Sequence, residues 1–158
     1  MQKNIYLCDM EKEFVIYSLA LRMKKLGYNG SCFAFYQVEN FEEKPCGVDD
    51  RDEYIRTGFA TCKNSEIPEH FTSAPTFQQA FRWFREKYDL TISIKRNRKY
   101  KTVKRYEVTI DASTDDKFDI FGMDYYDSYE EAELACIEKL IEIVEQKNAE
   151  MTDHGVYK

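Results

Sequence analysis

The stretch FQQAFRWFREKYDLTISIK, residues 77–95, decides the fold of the second half of this chain. Its first part carries apolar side chains at the spacing of one helical face: Phe77, Ala80, Phe81, Phe84 and Tyr88. Its last part alternates apolar and polar residues from Leu90 to Lys95, which is typical of a half-buried strand. The sequence therefore predicts a helix that is followed almost at once by a strand.

Three further segments extend this pattern toward the C-terminus. Residues 106–111 alternate as a second strand, and Phe118 and Ile120 begin a third. Ser128 and Glu131 have the spacing of a capping box, and a wide apolar helical stripe follows them. The predicted order is α-β-β-β-α, with an antiparallel sheet and helices packed on one face. The predicted fold class is α+β.

The apolar pattern of the N-terminal half predicts a helix and at least one strand. Residues 10–26 have a helical apolar stripe, and Gly27 fits the left-handed position just beyond its end. Residues 31–38 are apolar on both faces, as in a central strand, whereas residues 39–57 are mostly charged and predict a loop. A short strand is predicted from Thr57 to Lys63.

These segments predict two structural regions and a tail. Residues 1–66 form an N-terminal helix-strand lobe, and residues 74–148 form the α-β-β-β-α domain, with residues 64–75 as a connector that carries two prolines. Residues 149–158 have little to bury and predict a frayed tail. Whether the two regions share one core or form two is left open by the sequence.

Composition limits the classes of function. The chain has 158 residues, 43% of them hydrophobic, and a net charge of −6, so its overall field repels nucleic acid. Its five cysteines are odd in number and lack C-x-x-C spacing, which predicts free thiols in a reducing cytoplasm. The apolar stretch at residues 14–21 is too short to span a bilayer, so no membrane association is predicted.

The sequence contains no strong motif for catalysis or for binding a cofactor or metal. The glycines form no phosphate-binding loop, so no cofactor is predicted. Acidic clusters near residues 49–53 and 115–119 fit solvated turns better than a metal site. Cys62 and His70 are close in sequence, but the favoured interpretation is that Cys62 packs in a strand and His70 lies in the connector. We therefore predict no catalytic or metal-binding residues, and no enzymatic activity.

Aromatic side chains offer two other candidate contacts. Trp83 lies beside the apolar face of its helix, where it either anchors a partner or covers the edge of the core. Tyr125, Tyr126 and Tyr129 have the chemistry to stack on bases, but the neighbouring acidic residues favour packing instead.

The most distinctive feature is a basic segment at residues 95–105. It predicts the arms and tip of a β-hairpin, which is either a solvated, aggregation-resistant element or a surface that contacts phosphates or another partner. Its candidate contact residues are Lys95, Arg96, Arg98, Lys99, Tyr100, Lys101, Lys104 and Arg105.

The α-β-β-β-α order is also that of double-stranded-RNA-binding domains. Those domains hold phosphates with a basic cluster at the start of the last helix. The corresponding residues here, SYEEAE at 128–133, are acidic. Duplex-RNA binding in that mode is therefore not predicted.

Three motifs resemble a group of small uncharacterised proteins from gut anaerobic bacteria and their phages or mobile elements. They are LRMKKLGY at residues 21–28, APTFQQAFRWFREKY at 74–88 and YEEAELA at 129–135. The resemblance implies a cytoplasmic setting associated with phages or mobile elements, and it carries no activity.

Together, these features predict a non-enzymatic interaction or accessory protein. Its expected partner is an unidentified macromolecule, and a protein is favoured over nucleic acid because of the net negative charge. The alternative is a nucleic-acid-binding module that uses the basic hairpin 95–105.

Overall fold

A computed structural model of the chain describes residues 11–38, 53–97, 105–114 and 117–153. The chain divides into two compact units, Met1–Thr76 and Phe77–Lys158. Each unit contains a three-stranded antiparallel sheet and at least one helix, so the predicted α+β class is confirmed. Within the described ranges, no helix is both long enough and apolar enough to cross a membrane.

The first described element of the first unit is one turn of 3-10 helix at Glu11–Glu13, and helix α1 follows at Tyr17–Lys25. Its strands are β1 at Cys32–Val38, β2 at Glu53–Cys62 and β3 at Phe71–Ser73. The sheet order is β2-β1-β3, so the apolar strand β1 is central, as its sequence predicted.

The predicted helix over residues 10–26 is wrong in its first part. Phe14 forms an antiparallel bridge with Thr76, and the Val15 amide donates to the Pro75 carbonyl at 2.9 Å. The Tyr36 hydroxyl also donates to the Val15 carbonyl, at 2.8 Å. These long-range hydrogen bonds hold residues 14 and 15 extended, so α1 starts only at Tyr17.

The end of α1 is as predicted. Gly27 has a φ of 89°, in the left-handed region where a side chain would be strained. Its amide donates to Lys24, and the Tyr28 amide donates back to Met23. This pair of hydrogen bonds is a Schellman motif, which satisfies the last carbonyls of the helix.

Two predictions for the middle of the first unit need correction. Strand β2 begins at Glu53, inside the predicted loop 39–57, because it pairs with β1 from Val38 back to Ala34. Strand β3 lies inside the predicted connector 64–75 and pairs with the other edge of β1. Such a short strand gives too little alternation to be recognised from sequence.

The second unit has the predicted α-β-β-β-α order. Helix α2 spans Phe77–Tyr88, and α3 spans Tyr129–Asp153. Between them lie strands β4 at Leu90–Asn97, β5 at Arg105–Thr114 and β6 at Lys117–Tyr126, in the sheet order β4-β5-β6.

Both helices of this unit pack against the sheet and against each other, which places them on one face, as predicted. The sheet contributes buried apolar residues to that core: Leu90, Val108, Ile110 and Ala112. The helices contribute most of the rest: Phe77, Ala80, Phe81, Phe84, Ala132, Cys136, Ile137, Leu140, Ile141, Ile143 and Val144.

The predicted frayed tail at residues 149–158 is partly wrong. Helix α3 continues to Asp153, although the side chains from Ala149 to Met151 are exposed. Ala, Glu and Met are strong helix formers, so backbone propensity extends the helix beyond its buried face. Residues 154–158 lie outside the described ranges.

Candidate partner-binding site

The basic segment at residues 95–105 is divided between two paired strands. Lys95 and Arg96 are exposed near the end of β4, and Arg105 begins β5, opposite Asn97. The arms of the predicted hairpin therefore pair as expected. The remaining candidate contacts lie outside the described residues: Arg98, Lys99, Tyr100, Lys101 and Lys104.

The hairpin end of the sheet is the end formed by the last residues of β4 and β6 and the first residues of β5. The strand register aligns its side chains in two rows, because directly opposed residues of antiparallel strands share a face. One row contains Lys95, Glu107 and Tyr125. The other row contains Arg96, Tyr106 and Tyr126.

The second row lies on the face of the sheet that packs against the helices. Tyr106 is two residues before buried Val108, so it lies on the face that carries the helices. Its ring contacts the ring of Tyr129, at the start of α3, with centroids 5.7 Å apart and planes at 77°. This edge-to-face contact is a favourable aromatic geometry. It fixes the start of α3 beside the hairpin end.

Two tyrosines remain available to a partner at this end. Tyr125 is 48% exposed and Tyr129 is 40% exposed, so they are among the most exposed large apolar side chains described. The pKa of Tyr129 is raised by its partial burial and by the nearby Glu133 carboxylate. Its hydroxyl therefore stays protonated near neutral pH and can act as a hydrogen-bond donor.

A capping box holds the first turn of α3 in place. The Glu131 amide donates to the Ser128 hydroxyl at 3.1 Å, and the Ser128 amide donates to the Glu131 carboxylate at 3.4 Å. These are the reciprocal hydrogen bonds that the sequence predicted. The position of Tyr129, between the two capping residues, is therefore well defined.

The charge of the hairpin end is mixed. Exposed Lys95 and Arg96 contribute positive charge, whereas Glu107, Asp127 and Glu130 contribute negative charge close by in the rows and at the helix start. A surface for a polyanion is usually continuously basic. The described part of this end suits a partner that itself carries both charges and apolar groups.

The start of α3 is also relevant to the binding of duplex RNA. Glu130 and Glu131 lie in its first turn and are exposed. Phosphates brought to this helix end would meet carboxylates, which opposes the attraction of the helix dipole. The geometry thus supports the conclusion drawn from the sequence about this binding mode.

Trp83 covers the edge of the core. It is half-buried, and its ring contacts Phe84 and Tyr88 at centroid distances of 4.8 and 5.2 Å. The Lys87 ammonium lies 5.1 Å from the Trp83 centroid, within the range of a cation–π interaction. Its ring is therefore engaged within its own helix and offers little free surface to a partner.

Cys62 and His70 show no sign of activation. The Cys62 thiol donates to the Ala34 carbonyl at 3.8 Å, and the exposed His70 ring packs edge-on against Phe71. Burial and the Glu66 carboxylate raise the pKa of Cys62, whereas a nucleophilic cysteine needs a lowered pKa. This argues against a catalytic pair.

Cys136 is a structural residue. It is 1% exposed in α3, and burial raises its thiol pKa to about 12. A buried thiol that stays protonated is a weak nucleophile, so Cys136 acts as a small apolar filler of the core.

The two acidic clusters lie only partly within the described residues. Asp49, Asp50 and Asp52 lie outside the described residues, as do Asp115 and Asp116. Among the residues that are described, no three His, Cys, Asp or Glu side chains are grouped so that they could hold a metal ion.

Comparison with protein-family models, with curated proteins and with solved structures gives no match to this chain. The candidate site is therefore defined by its own geometry. Sequence reasoning singled out the basic segment and Tyr125, Tyr126 and Tyr129 separately. It missed that the strand register places Lys95 in one row with Tyr125 and Arg96 in the other row with Tyr126. It also missed Tyr106, which contacts Tyr129 and whose place beside Arg105 was the available signal.

Proposed function

We propose that this chain is a non-enzymatic interaction protein that binds another protein through the hairpin end of its C-terminal sheet. Two observations support this, one on each face of that end. Exposed Lys95 and exposed Tyr125 lie in one row of side chains. On the other face, exposed Arg96 lies opposite Tyr106, whose ring contacts exposed Tyr129. Tyrosine and arginine are enriched at the energetic centres of protein interfaces.

The mixed charge favours a protein partner. Glu107 lies in the same row as Lys95 and Tyr125, and Glu130 follows Tyr129 directly. Carboxylates interspersed with basic side chains select partners with complementary charges and weaken binding to phosphates. The net charge of −6 acts in the same direction.

The setting we propose is the cytoplasm, in association with a phage or mobile element. It rests on the resemblance of the motifs at residues 21–28, 74–88 and 129–135. An accessory protein of this kind needs a binding surface rather than a catalytic centre.

A second candidate function is nucleic-acid binding through the same end of the sheet. The density of basic residues between Lys95 and Arg105 supports it, and Tyr125 and Tyr129 have exposed rings on which unpaired bases can stack. It ranks second because the acidic residues of the hairpin end oppose phosphate binding.

The test is affinity capture from host lysate with the full-length chain as bait, with and without nuclease. We expect one protein to be retained after nuclease and lost when Tyr125→Ala and Arg96→Ser are combined. The matched control is Arg82→Ser with Arg85→Ser, an exposed basic pair on α2. Loss of all captured protein after nuclease would instead support the second candidate. Equal capture by the hairpin-end variant would rule out this surface.

A further inference from the structure

Cys32 and Cys62 lie directly opposite one another in the antiparallel pair of β1 and β2. Opposed residues in such a pair have Cα atoms about 4.5–5.5 Å apart, and their side chains share a face. Disulfides form between cysteines whose Cα atoms are about 4.4–6.8 Å apart. Paired in this way, next to the register shift between Cys32 and Ala34, the two cysteines meet the separation that a disulfide requires, and both thiols are free.

The two thiols differ in access. Cys32 is 0% exposed, whereas Cys62 is half-buried at the end of β2. An external reagent therefore meets Cys62 first, and Cys32 is placed behind it in the core.

The surroundings of Cys32 keep its sulfur in a defined place. The Tyr28 hydroxyl lies 3.4 Å from it, and the Cys32 thiol donates to the Gly30 carbonyl at 3.6 Å. A Cβ at Gly30 would lie 2.6 Å from the Tyr28 hydroxyl, so the missing side chain makes room for this tyrosine. Burial raises the pKa of Cys32, while its hydrogen bond with Tyr28 acts in the opposite direction.

We propose that Cys32 and Cys62 form a reversible redox pair, in which a small-molecule disulfide of the glutathione class converts the two thiols into a disulfide across β1 and β2. Cys62 is the entry thiol and Cys32 is the resolving thiol. The disulfide joins the central strand of the first unit to its edge strand.

The reaction balances as two exchanges. The raised pKa of Cys62 leaves only a small fraction of this thiol ionised near neutral pH, so the exchange is slow. The ionised fraction attacks one sulfur of the oxidised glutathione, the S–S bond breaks, and one glutathione thiolate leaves. The Cys32 thiolate then attacks the Cys62 sulfur of the mixed disulfide and displaces the second glutathione. The two cysteines are oxidised, glutathione disulfide is reduced, and the two cysteine protons pass to the two released glutathione thiolates.

The test uses the full-length chain with Cys8→Ser, Cys46→Ser and Cys136→Ala, so that only the proposed pair remains. After incubation with oxidised glutathione, we expect thiol titration of the denatured protein to find neither thiol, and dithiothreitol to restore both. Mass spectrometry of proteolytic fragments should show Cys32 joined to Cys62. The same peptide mapping on the wild-type chain is independent of the three substitutions.

A matched variant tests the order of events. With Cys32→Ala added, the resolving thiol is missing, so glutathione should remain attached to Cys62. Thiols that stay free in the paired protein, or glutathione that stays on Cys62 when Cys32 is present, would overturn the proposal. So would equally complete disulfide formation in the unfolded chain at the same glutathione ratio, because strand pairing would then contribute nothing.

Discussion

The ring of Tyr129 rests edge-on against the ring of Tyr106, and this contact joins the start of α3 to the start of strand β5 at the hairpin end. The two residues are far apart in the chain, and one is packed while the other remains 40% exposed. The contact therefore serves two purposes. It stabilises the second unit, and it positions an exposed tyrosine next to the basic strand end.

Replacing Tyr129 with Ala should lower the free energy of unfolding by at least about 0.5–1.5 kcal/mol, the usual value of an aromatic pair beyond its buried area. Denaturant melts measure this loss. Tyr125→Ala, on the more exposed neighbour, serves as the control and should change stability by less than about 0.5 kcal/mol. Equal losses for the two variants would mean that the Tyr106–Tyr129 contact contributes no stability of its own.

The core of the second unit gives the largest expected effect. Phe84 is fully buried in α2, so Phe84→Ala should cost about 3–5 kcal/mol in denaturant melts. Arg82→Ala, exposed on the same helix, should stay within about 0.5 kcal/mol. A cost below about 1 kcal/mol for Phe84 would contradict the helix register described above.

The capping box at the start of α3 should contribute measurably. Ser128→Ala removes the acceptor of the Glu131 amide and should cost about 0.5–2 kcal/mol. Ser128→Asp restores an acceptor and should recover most of that loss, as judged by the same melts. Failure of Asp to recover stability would indicate that Ser128 acts through packing rather than through the hydrogen bond.

If nucleic acid is the partner, its affinity should depend steeply on salt. Each phosphate neutralised contributes a slope of about −0.7 to −0.9 in log K against log salt concentration. Changing Arg98, Lys99 and Lys101 together to Ser should flatten the slope by up to about three units, measured by filter binding. The Arg82→Ser, Arg85→Ser control should leave it unchanged. No binding to any DNA or RNA at about 50 mM salt would remove this function.

The reactivity of Cys62 should respond to its neighbour Glu66. The Glu66 carboxylate helps to raise the pKa of Cys62, because a nearby negative charge disfavours the thiolate. Glu66→Gln removes that charge and should lower the pKa of Cys62. The increase of its alkylation rate with pH should therefore occur at lower pH than in the parent chain. The measurement uses iodoacetamide on a chain with only Cys62. An unchanged profile would show that burial alone sets this pKa, and a shift to higher pH would contradict the prediction.

Oxidation of the Cys32–Cys62 pair should stabilise the first unit. The chain-entropy relation gives about 3–4 kcal/mol for a disulfide that closes the loop between residues 32 and 62. Melts of the oxidised and reduced forms of the paired variant measure the difference. A less stable oxidised form would show that the bond strains the β1–β2 pairing.

The sequence by itself determined the second unit almost completely. Its helices carry wide apolar stripes and its strands alternate cleanly, so local periodicity already states which face of each element is buried. The capping box at Ser128 and the glycine at residue 27 could likewise be predicted from the sequence, because each acts on backbone groups only a few residues away. Helix α3 extends beyond its apolar stripe because the helix propensity of its last residues is sufficient to continue it.

Only the tertiary structure decided the features that depend on strand pairing. Residues 14 and 15 leave the helix because they bond to Pro75 and Thr76, and the three residues of β3 are a strand because β1 offers them an edge. The alignment of Arg96 with Tyr106, and of Cys32 with Cys62, is a matter of register. Register depends on the turn between two strands and on which of their faces are buried together, so the alternation within a single strand does not determine it.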